Sequence, residues 1–363
     1  MRDDINNKIA FVTDEYQDVD FSSGGVKLNF FFLQELIQRG CQVDLFVKKL
    51  VFNKKKIFAN VYPIEKFEEL KKDYSLVLSD KAVVPSDITD IHDHSYPYRI
   101  KMMSNPFAHF LYKIFCKKRY KRRMTEYLHV KRNIRKINKV VVSSNLLKQD
   151  MIENYGVKPE HIEIIPPPIE KYEINRDENE FFTFGISAIG FVRKGGYVLL
   201  KAIRDLKNYD KDFRVKIIYT SNNLCVKTLI SLYGIEKYCC FQPIQKDMGA
   251  FYNSLDCLLV PSIVEPFGMV ATEALSCGCP VIVSSNCGAK DFVKNGENGF
   301  VYDFSNKSHK GLTEAMKKML EMDNTELDKI RQKAVKSVAS TKIDFSKLVD
   351  AVLKMQGEKL CSP

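Results

Sequence analysis

A run of three prolines, Pro166-Pro167-Pro168, divides this 363-residue chain into two stretches that each alternate short apolar strands with helices. The strands expected in the first stretch lie at 9–13, 42–47, 74–79, 88–92 and 139–143, with a helix at 26–39. The elements expected in the second are strands at 181–186, 215–219, 255–260 and 281–283 and helices at 196–206, 224–233, 268–277 and 308–322. Such alternation predicts parallel sheets covered by helices on both faces.

The proline run is also the best candidate linker, because proline ends regular elements. We therefore predict one domain over residues 1–168 and a second over 169–343. The tail at about 344–356 has apolar residues at helical spacing, which predicts a further helix.

The most informative local pattern joins a short apolar strand to a helix and carries two glutamates. Glu265 lies in the loop before this helix, and Glu273 lies in its second turn. The first turn of a helix offers unpaired backbone N–H groups, which suit an anionic or hydroxyl-rich ligand. A carboxylate presents two oxygens at fixed spacing, which suits hydrogen bonds from a vicinal diol. We therefore expect both carboxylates to border one pocket.

The letters of this segment are E-P-F-G-M-V-A-T-E, followed by A-L-S-C-G-C-P-V-I. The pattern resembles the signature of the family-4 retaining glycosyltransferases. The resemblance implies the α/β GT-B fold, with two Rossmann-like domains facing across a cleft, the first for the acceptor and the second for the nucleotide sugar. In such folds the last helix usually crosses back onto the first domain, so the helix at about 344–356 is expected to pack there. It implies that Glu273 holds the ribose diol and that Glu265 meets sugar hydroxyls near the reacting carbon. The residues implied to bind sugar and phosphate through backbone N–H groups are Phe267, Gly268, Met269 and Val270.

A basic, glycine-rich turn lies about 70 residues before this motif and opens a helix. It contains Arg193 and Lys194 in the string G-F-V-R-K-G-G, whose cations can clamp a diphosphate while the glycines allow close backbone approach. Alone, R-K-G-G also fits a solvated basic turn. The string is similar to that of bacterial lipopolysaccharide-core α-glucosyltransferases. Many relatives have an arginine five residues before the lysine, where this chain has Ile189, so Arg193 is expected to supply that charge.

Two features of the first half are further site candidates. The segment S-S-G-G lies at the first strand-to-helix turn, and the resemblance places Gly24 and Gly25 beside the donor phosphates or the acceptor entrance. The segment I-H-D-H ends the strand at 88–92. Related enzymes carry a histidine at this strand end that contacts the donor sugar. His92 fits that position best, and His94 is the alternative.

We expect the enzyme to need neither a metal nor another cofactor. Fixed cations and helix N-termini can stabilise the charge of a leaving diphosphate. The string Asp18-Val19-Asp20 matches the D-x-D of metal-dependent enzymes, but it lies in a surface-like loop and is rejected as a metal site. The donor is expected to be a nucleoside-diphosphate sugar, with uridine the commoner base in the family. The residues expected to act in catalysis are Glu265, His92, Arg193 and Lys194.

The composition fits a globular protein of the reducing cytoplasm, with 45% hydrophobic and 28% charged residues. No apolar run approaches the length of a membrane span. The charged N-terminus leads directly into a strand, so no signal peptide is expected. The ten cysteines lack the paired spacing of a zinc site or a disulfide scaffold.

The net charge of +11 is concentrated in one segment. Residues 113–136 contain eleven basic side chains and one acidic side chain, an excess of ten. Aromatic and aliphatic residues are interleaved with these cations, which is typical of a helix that lies on an anionic membrane. A solvated helix face is the alternative. The membrane interpretation predicts a glycolipid or growing surface polysaccharide as the acceptor, handled at the inner face of the plasma membrane.

Three other functions compete with a glycosyltransferase. The basic segment alone is compatible with a polyanion- or nucleic-acid-binding protein, but that reading leaves both glutamates unexplained, so no nucleic-acid partner is expected. A nicotinamide-dependent oxidoreductase would need a dinucleotide fingerprint that is missing. A non-catalytic GT-B relative is opposed by the intact Glu265, Glu273 and Lys194.

Overall fold

The computed structural model divides the chain into two compact units, Met1–Pro168 with Ile343–Pro363, and Ile169–Lys342. The structure describes residues 8–16, 24–51, 58–103, 110, 113–176, 179–219, 224–245, 247–339, 349–350 and 352–354. The D-x-D string at 18–20 and the serine pair at 22–23 lie outside these residues.

The first unit is built around a parallel sheet of seven strands in the order β3-β2-β1-β4-β5-β6-β7. The strands are β1 (Lys8–Tyr16), β2 (Gln42–Leu50), β3 (Val61–Pro63), β4 (Leu76–Asp80), β5 (Ile88–Ile91), β6 (Lys139–Val142) and β7 (Ile162–Ile164). The described helices are α1 (Gly24–Gln38), α2 (Phe67–Leu70), α3 (Tyr96–Met103), α4 (Lys117–Ile134) and α5 (Asn145–Asp150). The strand order reverses between β1 and β4.

The second unit has a parallel sheet of six strands in the order β10-β9-β8-β11-β12-β13. Its strands are β8 (Phe182–Ser187), β9 (Phe213–Ile218), β10 (Cys239–Gln242), β11 (Cys257–Val260), β12 (Val281–Ser284) and β13 (Gly299–Tyr302). Its described helices are α6 (Gly196–Leu206), α7 (Leu224–Tyr233), α8 (Met248–Asn253), α9 (Met269–Ser276), α10 (Lys310–Glu321) and α11 (Asn324–Ala339). Counted from β8, this is the 3-2-1-4-5-6 order of the Rossmann fold.

Burial explains why the central strands read as continuous apolar runs. Every residue of β11 and β12 is buried, because helices cover both faces of a parallel sheet.

In the first unit, Val349 and Val352 of the C-terminal segment belong to the core formed with β1, β2 and α1. Arg39 donates to Asp350 across 2.6 Å at the same place. No helix in the described part of the chain has the length and apolar character that a membrane span needs.

The fold class expected from the sequence is confirmed, with differences in detail. Helix α1 begins at Gly24 instead of residue 26, so the glycine pair expected in a turn lies in the first helical turn. The basic segment forms α4. The elements that the sequence did not predict are β3, β7, β10, β13, α2, α3, α8 and α11. All four of these strands have only three or four residues, which is too few for a periodic pattern.

A buried ion cluster fixes the start of the second sheet. Asp256 accepts hydrogen bonds from Arg176 at 3.0 Å, from Arg331 of α11 at 2.8 Å, and from the backbone N–H of Thr183 at 2.9 Å. These bonds join three segments that are distant in sequence. The carboxylate therefore holds α11 and the segment before β8 against the sheet.

We expect Asp256→Asn to lower the free energy of unfolding by about 3 kcal/mol, because it leaves two guanidinium groups without their shared counter-charge. Asp328→Asn is the matched control: Asp328 also pairs with Arg331, but its side chain is 66% exposed, and the expected cost is below about 1 kcal/mol. Urea unfolding at pH 7 measures both. Equal costs would show that the Asp256 cluster does not hold the unit together.

Candidate active site

The candidate site lies at the carboxyl edge of the second sheet, where the strand order reverses between β8 and β11. Ligands of open α/β sheets bind at this position, because the loops after the two strands diverge there. The loop after β8 carries Arg193 and Lys194, and the loop after β11 carries Glu265. The structure thus brings Glu265 together with Arg193 and Lys194, which lie about 70 positions earlier in the sequence.

The two loops meet through close backbone contact. The backbone N–H of Ile263 donates to the carbonyl of Arg193 at 2.9 Å. Gly195 has φ +77°, and a Cβ added there would lie 1.9 Å from the carbonyl oxygen of Pro261. Only glycine can therefore occupy this position, where the chain turns into α6. The string R-K-G-G is required by packing as well as by charge.

Glu265 is buried between the two cations. Its Oε2 accepts from Arg193 Nη1 at 3.0 Å and is paired with Lys194 Nζ, while the same guanidinium nitrogen of Arg193 donates to the carbonyl of Val264 at 3.3 Å. The backbone of Glu265 is fixed too, since its N–H donates to Asn286 and its carbonyl accepts from Gly288. The carboxylate is therefore held in place by both its side-chain and its backbone bonds.

The charge of this carboxylate is stabilised by its partners. Burial raises the pKa of Glu265, but the nearby positive charges of Lys194 and Arg193 outweigh burial and hold the pKa below its ordinary value of 4.5. Two cations and one anion leave the group with one net positive charge. A second anion can therefore be accommodated beside the cations.

The N-terminus of α9 adjoins this group. Gly268 caps the helix with φ +94°, and a Cβ added there would lie 2.7 Å from Cys287 Sγ and 3.2 Å from Glu265 Cγ. The carbonyl of Phe267 accepts from the backbone N–H of Ala289 at 2.6 Å, which fixes the peptide before the helix. The first N–H groups of α9 have no partner within the helix and add a partial positive charge at this edge.

Glu273 lies one turn further along α9 and is buried. Tyr252 of α8 donates from its hydroxyl to Glu273 Oε2 at 2.6 Å. Burial, followed by the charge of Glu273, raises the pKa of Tyr252, so this hydroxyl stays a donor. Tyr172 packs on the ring of Tyr252 with centroids 5.9 Å apart. The sequence did not identify Tyr252, because no local pattern pairs it with a residue 21 positions away.

In the first unit, His92 follows β5 and contacts two carboxylates. Its Nδ1 lies 3.0 Å from Asp90 Oδ2, its Nε2 lies 3.5 Å from Asp80 Oδ1, and Thr13 donates to the other oxygen of Asp80 at 3.0 Å. Burial lowers the pKa of His92, but the two carboxylates outweigh burial and raise it.

The ligand atoms of Asp80, Asp90 and His92 lie within 4.8 Å of one another, a spacing that a metal ion could use. The same three side chains contact one another directly, with His92 between the two carboxylates. The expected absence of a metal stays a prediction.

His94 has a different environment from His92. Its side chain is fully buried, with Nδ1 2.9 Å from Asp150 Oδ2 and the ring stacked on Tyr98 at 4.1 Å between centroids. Asp150 also accepts from the backbone N–H and the hydroxyl of Ser95. Of the two histidines, His92 is the one that partly reaches the surface of the first unit, with its side chain 13% exposed.

Comparisons with known proteins relate this chain to glycosyltransferases. Residues 169–337 match the family model described as "Glycosyl transferases group 1", so the second unit is a glycosyl transferase group 1 domain. A D-inositol 3-phosphate glycosyltransferase of Corynebacterium glutamicum is 28% identical over 227 residues, which are 55% of this chain and 54% of that protein. The chain spans about half the length of the curated relatives that it matches.

Solved structures share the fold over nearly the whole chain. WaaG, a glycosyltransferase involved in lipopolysaccharide biosynthesis, matches with a TM-score of 0.72 and 17% identity, covering 96% of this chain and 99% of its own. Anabaena HepE in complex with UDP matches with a TM-score of 0.66 and 16% identity, covering 97% of this chain and 100% of its own. The expected GT-B class, with two Rossmann-like units in one chain, is confirmed.

We expect Glu265→Gln to lower the free energy of unfolding by about 2 kcal/mol at pH 7, because Arg193 and Lys194 lose their counter-charge. A carboxylate with a lowered pKa stabilises the fold above its unfolded pKa, about 4.5, and loses this effect as the pH falls through the lowered folded value. The difference between wild type and variant should therefore shrink below pH 4.5.

Urea unfolding between pH 3 and pH 8 measures this difference. Glu314→Gln is the control, since Glu314 is 65% exposed and pairs only with Lys317 among the described residues, so its effect should stay below about 0.5 kcal/mol. A Glu265→Gln difference that does not change with pH would contradict the ion-paired carboxylate.

Proposed function

We propose that this protein is a glycosyltransferase whose second unit binds a nucleoside-diphosphate sugar. The observation that carries the proposal is the buried Glu265 held between Arg193 and Lys194 beside the N-terminus of α9. The names of the relatives support it, since the group 1 match covers this unit and HepE has been solved with UDP. We propose a UDP-sugar as the donor.

Each part of the donor has its own proposed contacts. The diphosphate lies against the side chains of Arg193 and Lys194 and the first N–H groups of α9. Glu273 accepts hydrogen bonds from the ribose diol, and Glu265 accepts from sugar hydroxyls near the reacting carbon. His92 of the first unit is the proposed contact for the donor sugar. Gly24 and Gly25 are proposed to let the backbone come close to the donor phosphates or the acceptor entrance.

The reaction retains the configuration at the anomeric carbon. The bond from this carbon to the phosphate oxygen breaks, and a bond to the acceptor oxygen forms on the same face. The proton of the acceptor hydroxyl passes to the departing phosphate oxygen, so neither a covalent nucleophile nor a metal takes part. The fixed cations stabilise the charge that grows on the diphosphate.

The acceptor is proposed to be a glycolipid or a growing surface polysaccharide. Helix α4 carries the dense basic charge, and large apolar side chains lie exposed before and within it: Phe110, Ile114, Phe115 and Leu128 are 53–79% exposed. Cations with exposed apolar side chains fit an anionic membrane surface better than a solvated helix face. WaaG, by its name a lipopolysaccharide enzyme, shares the fold.

The donor proposal is tested by thermal unfolding with UDP, GDP, ADP, CMP and NAD, each with and without EDTA. A ligand at 100 times its dissociation constant adds about 2.7 kcal/mol to the free energy of unfolding. We expect stabilisation by UDP that EDTA does not change. Glu273→Gln keeps an acceptor for the Tyr252 hydroxyl but loses the carboxylate, so UDP binding should weaken at least about tenfold.

Glu314→Gln on α10 is the matched control and should bind UDP as the wild type does. No stabilisation by any nucleotide would refute the donor site. Stabilisation that disappears in EDTA would refute metal independence, and equal UDP binding in Glu273→Gln would refute the ribose contact.

The membrane proposal is tested by sedimentation with anionic phosphatidylglycerol vesicles at low salt. Neutralising three exposed lysines of α4, in the variant K117Q/K118Q/K121Q, should weaken vesicle binding on the order of a hundredfold, since each basic residue near an anionic surface contributes about 1 kcal/mol. The matched control K329Q/K333Q/K336Q removes the same charge from exposed positions of α11. Equal binding by both variants would contradict a membrane surface on α4.

A further inference from the structure

A cavity of about 610 Å³ lies within the first unit, at the carboxyl end of β5. One face of α3 lines it at helical spacing with Tyr96, Arg99, Ile100 and Met103. One face of α4 lines it with Arg119, Arg123, Tyr127 and Val130. The volume is that of a site for a small molecule. The donor-site residues of the second unit have no part in it.

The rim of the cavity is positively charged. The cations that line it are Lys81, Arg99, Arg119 and Arg123, against two acids, Asp93 and Glu126, which leaves two net positive charges. Arg99 pairs with Asp93 at 2.9 Å and Arg123 with Glu126 at 3.2 Å. Arg119 has no acidic partner among the described residues, so its guanidinium is available to an anionic ligand.

The walls of the cavity are different in character. Ile91, Ile100, Met103 and Val130 make them apolar. His94 belongs to the lining, but its side chain is 0% exposed, so its ring does not face the open cavity. Asp150 accepts four hydrogen bonds, one of them from the His94 ring at 2.9 Å.

We propose that this cavity is the acceptor subsite and that the acceptor is an anionic amphiphile. Its phosphate or carboxylate lies against Arg119, and its apolar part lies between α3 and α4. This inference rests on the proposed glycosyltransferase function and narrows its acceptor to an anionic lipid-like molecule.

The test uses the full chain and decyl phosphate, kept below the concentration at which it forms micelles. Calorimetry should show saturable binding of decyl phosphate, with inorganic phosphate and decanol each binding at least tenfold more weakly. Arg119→Gln should weaken decyl phosphate at least about tenfold. Lys72→Gln removes the same charge from an exposed position of the first unit outside the cavity and should change this binding less than twofold.

The place of binding is tested with fluorescence, because the chain contains no tryptophan. Met103→Trp puts a single indole at the mouth of the cavity, and its emission should shift when decyl phosphate binds. Leu232→Trp, at a position that is 76% exposed on α7, is the control and should not respond.

Three results would overturn the proposal: no decyl phosphate binding, equal weakening by Arg119→Gln and Lys72→Gln, or an indole response only at position 232. Equal weakening would assign the binding to the general positive charge of the protein. UDP is titrated into the same samples. If UDP binds while decyl phosphate does not, the acceptor subsite fails and the donor proposal stands. If neither binds, both fail.

Discussion

The arrangement of the second unit depends on one buried carboxylate held between two cations. Glu265 would be costly to bury alone, and Arg193 and Lys194 would repel each other without it. The three residues come from the two loops at which the strand order reverses, so the ion group also joins those loops. Gly195 and Gly268 permit the close approach that this requires. The same residues that stabilise the edge of the sheet therefore leave one net positive charge there, which suits an anionic ligand.

Much of this edge was predictable from the sequence, because β11 and β12 are continuous apolar runs and glycines bound helix α9. Helices α6 and α7 begin and end at the predicted residues, and the strand, loop and helix around Glu265 lie within two residues of their expected bounds. The packing partners were not predictable. Tyr252 meets Glu273, and Asp80 and Thr13 meet His92, through contacts that only the folded chain creates.

The first unit shows how identical residues close together in the sequence come to lie in different environments. His92 and His94 are two positions apart, yet one contacts Asp90 and Asp80 near the surface and the other is buried against Asp150. Both histidines follow the end of β5, where the two-residue alternation of a strand no longer applies, so the sequence alone did not separate them. The basic helix α4 likewise has two faces: Arg119 lines a cavity, while Lys121 does not. Charge counts along a sequence do not distinguish these positions.

The central claim is that the cations beside Glu265 bind the diphosphate of a donor. The most direct measurement is the ratio of the affinities for UDP and uridine, determined by calorimetry for the wild type and for Lys194→Gln. We predict that the wild type binds UDP at least about a hundredfold more tightly than uridine. In Lys194→Gln this ratio should fall at least about tenfold while uridine binding is unchanged. An unchanged ratio would contradict the claim, because the diphosphate would then be recognised elsewhere.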